Sequence, residues 1–326
     1  MTTVTIHRMP TFDPRSALDP RAVLRRRVRR ELEEAVGAHD EPEIFAQPPG
    51  DPGLIGPGSM SWELHGDMGV VAIASIGALI MEILHPGVMA GVHDLSNYQS
   101  QPERRMRNTF GYVVTTTFGN TEAATALIGR VRRMHERVNG TMPDGRPYRA
   151  MDPDLIGWVH TAIPWSIMLA YDAYRRPLSV DEKNRYLAEQ AVIGRMGGAG
   201  DIPTTVDELD EYVEQMRPQL TVNEQTLSFI EFATGPRDGP YRVNEVQRFQ
   251  HRLNAVSSMV LLPEWARRLS GLDHSALARR LWFDPTIRFN VDLITSAYGT
   301  PPWRALAEAR VAGPVAAVGR STTAAA

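Results

Sequence analysis

Apolar positions recur at three- and four-residue spacing along most of the chain, and strand-like alternation is scarce, so the pattern predicts helices almost throughout. Ala124, Leu127, Ile128, Val131 and Val138 define one apolar stripe, and His135 falls on it, four residues after Val131 and three before Val138. His160 lies four residues after Ile156, among Leu155, Trp158, Val159 and Ile163. Both imidazoles are therefore expected to point inward. Each ring nitrogen then needs a partner, which is either a hydrogen-bonding group of the core or a metal. Helix starts are marked by Asn120, by Asp152 followed by Pro153, and by the pairs Ser179/Glu182 and Thr205/Glu208, which fit capping boxes. Pro86, Pro218, Pro236 and Pro263 punctuate ends, and Pro164 should kink the His160 helix. The best strand candidate is VVTTTF at 113–118.

The same pattern divides the chain. Residues 1–58 read as an N-terminal extension: RAVLRRRVRRELEEAV forms one Arg-rich helix, and the Pro/Gly-rich stretch 46–60 forms a linker. In that helix Arg comes early and Glu late, against the helix dipole, so it needs a docking surface. Its arginines are either a solvated face or a site for a phosphate or propionate. Residues 59–312 form one large all-α domain of roughly ten helices, and 313–326 a flexible tail. No repeat of 20–50 residues is visible.

Composition narrows the chemistry. A net charge of −3 over 326 residues leaves no footprint for nucleic acid or an anionic membrane. With no cysteine, disulfides, thiolate nucleophiles, iron–sulfur clusters and thiolate-ligated or C-x-x-C-H-attached haem all drop out. Lys183 is the one lysine, which disfavours Schiff-base chemistry. The first twenty residues lack the apolar core of a secretory signal, and the apolar run from Met68 to Met81 falls short of the roughly 20 residues needed to cross a bilayer. A cytoplasmic protein without a membrane span is expected.

Standard catalytic motifs fail: MHERVN lacks the second histidine of H-E-x-x-H, and there is no nucleophile elbow or Walker A. Gly197-Gly198-Ala199-Gly200 follows a helix and not a strand, so a dinucleotide cradle is not expected there. What remains surrounds the histidines. Arg105, Asn108 and Thr109 share one helix face, and His85 and His93 flank a Pro-Gly bend. Arg105 is either a polar group facing such a site or one of the surface arginines of its run.

The segments SMSWELHGDMGV, GALIMEILHPGVMAGVHDLS, ERRMRNTFGYVVTTTFGNTEAA, VRRMHERVNGTMPDGRPYRAMDPDLIGWVHT and PLSVDEKNRYLAEQ resemble, in order, the family of the latex clearing protein (rubber oxygenase) and the oxygenase MpaB. The resemblance covers about residues 60–270. It implies a globin-like helical core holding one haem b, with O2-dependent chemistry on a small lipophilic substrate. On that resemblance the proximal haem ligand falls on His135. The Arg-x-x-Lys-Thr element of rubber oxygenases falls on Arg105, Asn108 and Thr109, with Asn108 where those enzymes have the lysine that can cap iron. Arg107 points about 100° away and is a poor substitute. The distal side is then open, or filled by His160 or His85. The function expected is a haem b-dependent oxygenase or oxidase, with Arg105, Thr109 and Asn108 beside the reacting molecules and His135, Arg105, His160 and His85 around the cofactor. In it the His135 Nδ1–H would donate to a carbonyl or carboxylate. The alternative is a non-catalytic haem- or hydrophobe-binding helical protein.

Overall fold

The computed structural model describes residues 22–23, 25–30, 42–95, 98, 100–235 and 245–313. The chain is all-α, 73% helical, with two short strands. After a single helical turn at Glu43–Ala46, the helices are α1 (Met60–His65), α2 (Met68–Ile83), α3 (Pro86–Leu95), α4 (Pro102–Phe118) and α5 (Thr121–His135). A hairpin of β1 (Asn139–Thr141) and β2 (Pro147–Arg149) follows, antiparallel with Gly140 opposite Tyr148. Then come α6 (Pro153–Tyr174), α7 (Val180–Gly197), α8 (Val206–Met216), α9 (Glu224–Thr234), α10 (Glu245–Leu261), α11 (Glu264–Leu269), α12 (Asp284–Tyr298) and α13 (Pro302–Ala312).

The apolar run Met68–Met81 becomes the central helix α2, packed by α6, α10 and α12. Asp67 starts it: one carboxylate oxygen accepts from Gly69 and Val70 N–H and from Thr295 Oγ1, and the other pairs with Arg175 at 2.7 Å. Such a cap satisfies the orphan donors of the first turn. At its far end the chain turns by 105° into α3. The caps foreseen at Asn120, Asp152 and Ser179/Glu182 are all present, the last as a full capping box. Thr205 caps α8, but the Glu208 carboxylate reaches Thr204 and not the Thr205 N–H, so that box is half-formed.

Two stretches depart from the sequence pattern. The strand candidate 113–118 is the last third of α4. Its threonines find partners within a helix: Thr116 Oγ1 donates back to the Tyr112 carbonyl, and Thr117 meets His65. Those bonds remove the penalty that β-branched hydroxyl residues carry in helices. The linker expected at 46–60 is docked onto the body. Phe45 is buried, and the Arg310 guanidinium, 2% exposed, donates to the carbonyls of Ile44, Phe45, Asp51, Phe118 and Gly119. The Arg-rich helix docks as well, at least over 22–23 and 25–30, with Val28 buried and Arg29 over the Tyr298 ring. Its Glu-rich end and the tail from 314 lie outside the described residues.

Candidate functional site

α4 packs on α1, α5 and α13, while it meets α2 and α6 chiefly through side chains. Each helix carries partly accessible residues at helical spacing: Arg105, Thr109 and Tyr112 on α4, Ser75 and Leu79 on α2, and His160 and Ile163 on α6, where Leu79 and Ile163 also pack against the main core. Three contacts stitch the seam together. The Arg105 guanidinium and the Glu82 carboxyl feel each other's charge. The Tyr112 and His160 rings meet edge-on, with centroids 6.0 Å apart. His160 and His135 are close enough to disfavour protonation of both.

His135 is the last residue of α5 and His160 lies in the second turn of α6, both half-buried on the apolar stripes foreseen for them. Neither ring makes a hydrogen bond among the described residues, nor does the donation expected from His135 Nδ1–H occur among them. Burial holds both imidazoles neutral: His135 is shifted below its ordinary value, and His160 falls to about 4, helped by His135.

The glycine-rich stretch takes part in a way the sequence did not suggest. A Cβ on Gly197 would stand 2.8 Å from His160 Nε2, and one on Gly194 would stand 3.2 Å from His160 Cβ. The end of α7 is thus a bare backbone surface against which the imidazole lies. Arg132, one turn before His135, donates to the Met196 carbonyl at 3.2 Å and ties α5 to that surface.

Two further residues were missed. Glu82 is 5% exposed, its Oε1 has no hydrogen-bond partner, and burial pushes its carboxyl up to about 7 against the opposing pull of Arg105. Tyr112, whose phenol burial also pushes upward, closes the seam over His160. Spacing from Thr109 could have placed Tyr112 on the face. Nothing local marked Glu82 beyond a single acid ending an apolar helix.

The remaining candidates are apart from this cluster or committed elsewhere. His85 Nδ1 accepts the Gly87 N–H at 3.1 Å, so the neutral ring carries its proton on Nε2 and serves the start of α3. Asn108 is exposed on α4, and His93 is exposed beside Asp94. Among the described residues no three His, Asp or Glu side chains are arranged to hold a metal ion. The open groove of Arg217, Leu220, Trp265 and Arg268 is built by other elements, and both arginines there already pair, with Glu214 and Glu264.

In an all-α protein, the seam thus gathers two neutral imidazoles without hydrogen bonds among the described residues, a buried acid and an arginine. The catalytic-domain model described as "ER-bound oxygenase mpaB/B'/Rubber oxygenase" matches residues 62–290, and the chain belongs to that family. No curated protein and no solved structure matches it. The matched span contains α4, α5, α6 and the whole seam, and the family is one of oxygenases, which implies O2 and a substrate. Among the described residues no single helix is long and apolar enough to cross a membrane. The bent pair of α2 with Pro86–Asp94 meets the length and composition test only jointly, and α2 is the buried centre of the fold.

Proposed function

We propose that this chain is a haem b-dependent oxygenase or oxidase acting with O2 on a small lipophilic substrate, and that His135 is the proximal iron ligand. The observation that carries the reading is the pair of neutral imidazoles, His135 and His160, partly accessible and without hydrogen bonds at one seam. A site with two nitrogen donors and no third protein ligand suits an iron whose other ligands come from a macrocycle better than a bare ion. The residues present fit such a group: donors kept neutral by burial, an apolar stripe including Leu79 and Ile163, and one cation, Arg105, for an anionic substituent.

When bound, haem supplies O2 binding and electron transfer at iron. The chain supplies the rest. His135 would hold the iron from the end of α5. His160 is the second imidazole, favoured over His85 because the His85 Nδ1 is already engaged. Arg105 and Thr109 orient a polar group of the reactants or a propionate. Glu82 holds a proton near neutral pH and can pass it to or take it from the substrate. Tyr112, Leu79 and Ile163 exclude water and favour a lipophilic molecule. Asn108 points to solvent, so no cation from that position caps the iron.

The visible spectrum of purified protein supplied with haem tests the cofactor. A Soret band is expected in the wild type and is expected to vanish in His135→Ala with helical content kept. A wild type that takes up no haem overturns the reading, and retention by His135→Ala with loss by His160→Ala reassigns the proximal ligand. Carbon monoxide binding and O2 consumption by the reduced protein with terpenoid, polyketide or aromatic compounds then test catalysis against haem carriage.

A further inference from the structure

The outer side of the segment entering α12 is apolar where solvent should find polar groups. Leu277, Leu281 and Phe289 are 66%, 57% and 56% exposed, and Trp282 is 72% exposed. With Pro285, also exposed, Leu277, Leu281 and Phe289 repeat every four residues along one line of the helix. In a regular α-helix Trp282 would lie about 140° round from Leu277. Here Arg279–Phe283 forms a π turn, closed by the Asp284 N–H on the Arg279 carbonyl, and positions four and five apart flank the same line. The wide turn therefore adds Trp282 to the stripe. The opposite side of α12 (Ile287, Val291, Ile294) is already in the core, so this second apolar face is surplus to folding. Gln250 on α10 donates to Asn290 at 2.7 Å, and their sequence neighbours Phe249 and Phe289 are exposed to nearly the same degree.

Three arginines accompany the patch. Arg252 and Arg280 are exposed and have no carboxylate partner among the described residues. Arg288 is exposed, donates to the Ala173 carbonyl and lies over the Tyr174 ring, again without a carboxylate. Asp284, the acid within this stretch, is taken by Arg279 and Tyr174. The surface is thus apolar with a local positive excess, although the chain as a whole is at −3.

We propose that this face, Phe249, Leu277, Leu281, Trp282 and Phe289 with Arg252, Arg280 and Arg288, docks on the headgroup layer of an anionic lipid bilayer. Tryptophan beside leucine and phenylalanine suits the boundary between headgroups and acyl chains, and arginines suit the phosphates above it. A second copy of the chain is the poorer occupant, because a two-fold pairing of this face would set its unpaired arginines against each other. The proposal stands without the haem reading.

Sedimentation with vesicles of phosphatidylcholine alone, or of phosphatidylcholine with phosphatidylglycerol, tests it on the full chain. The wild type is expected to sediment with the anionic vesicles, less so as salt rises. Leu281→Ser/Trp282→Ser is expected to weaken this at least tenfold with unchanged circular dichroism, since both side chains are exposed. Arg252→Ser/Arg280→Ser is expected to cost about fivefold per arginine on anionic vesicles only. No binding to either vesicle, or binding that neither double variant changes, overturns the proposal. So does a wild-type dimer in sedimentation equilibrium that Leu281→Ser/Trp282→Ser makes monomeric, which would make the face a subunit interface.

Discussion

His65 and His160 are both neutral imidazoles carried by helices, and they divide on what their nitrogens touch. His65 Nδ1 meets Thr117 Oγ1 and its Nε2 meets Tyr186 Oη, each at 2.8 Å, and the ring is 4% exposed. His160 has a tyrosine edge and a glycine surface beside it, and no hydrogen bond. The first is a finished structural unit in which every polar atom is paired. The second is structurally incomplete. Arg310 and Glu82 repeat the contrast: the buried arginine donates to five carbonyls, whereas the buried acid has an oxygen with no partner. Buried polar groups are costly unless satisfied; unsatisfied ones also occur away from the seam, at Ser270 and His274, so the contrast holds between these residues and not between whole regions.

The largest test of that contrast exchanges the two histidines' phenotypes. His160→Ala is expected to alter the haem spectrum while leaving the urea midpoint within about 1 kcal/mol of wild type, because it strands no partner. His65→Ala is expected to cost about 2–5 kcal/mol in urea unfolding, because it leaves the Thr117 and Tyr186 hydroxyls buried and unpaired. A spectrum lost in His65→Ala at full folding would break the division. Next in size, Arg105→Ala is expected to lower turnover ~10²–10³-fold with haem retained, the usual cost of one oriented polar contact. Steady-state rates normalised to the Soret band check it.

A smaller effect is the pH dependence of stability. Burial lowers the His65 pKa to about 3, so the native state binds fewer protons than the unfolded chain between there and the ordinary value near 6.5. Its contribution is complete above about 6.5 and is lost as pH falls towards 3, by an amount on the order of a few kcal/mol. Denaturant unfolding at stepped pH should show that slope in the wild type and a shallower one in His65→Gln. The smallest expected effect is Gly197→Ala. The new methyl would meet His160 Nε2 at 2.8 Å, so the imidazole must shift, with a change in haem absorbance and only about 1 kcal/mol in stability. An unchanged spectrum would remove the glycine surface from the site.

Much of the fold was legible because its signals are local. The stripe of α5 follows from 3.6-residue periodicity, and Asp152-Pro153 and Ser179/Glu182 mark helix starts by chemistry that acts within four residues. The segment 113–118 was misjudged as strand because Val and Thr favour β locally, and only the partners of Thr116 and Thr117 tip the balance. His135, His160, Arg105 and Thr109 were visible as polar residues on faces that should pack. His65, Glu82 and Tyr112 were not singled out, and Gly197 was read only as part of a glycine run, since their meaning lies in what crosses the space between helices.

By itself, then, the sequence determined an all-α chain, two inward histidines and a family resemblance, all fixed by periodicity or by ordered motifs. The tertiary structure decided which histidines are hydrogen-bonded and which are not, because hydrogen-bond satisfaction depends on side chains more than fifty residues apart, as for His65 with Thr117 and Tyr186. It also decided where charge is unbalanced. A chain at −3 overall leaves Arg252, Arg280 and Arg288 exposed without carboxylate partners among the described residues, because composition sums charges that folding distributes in space.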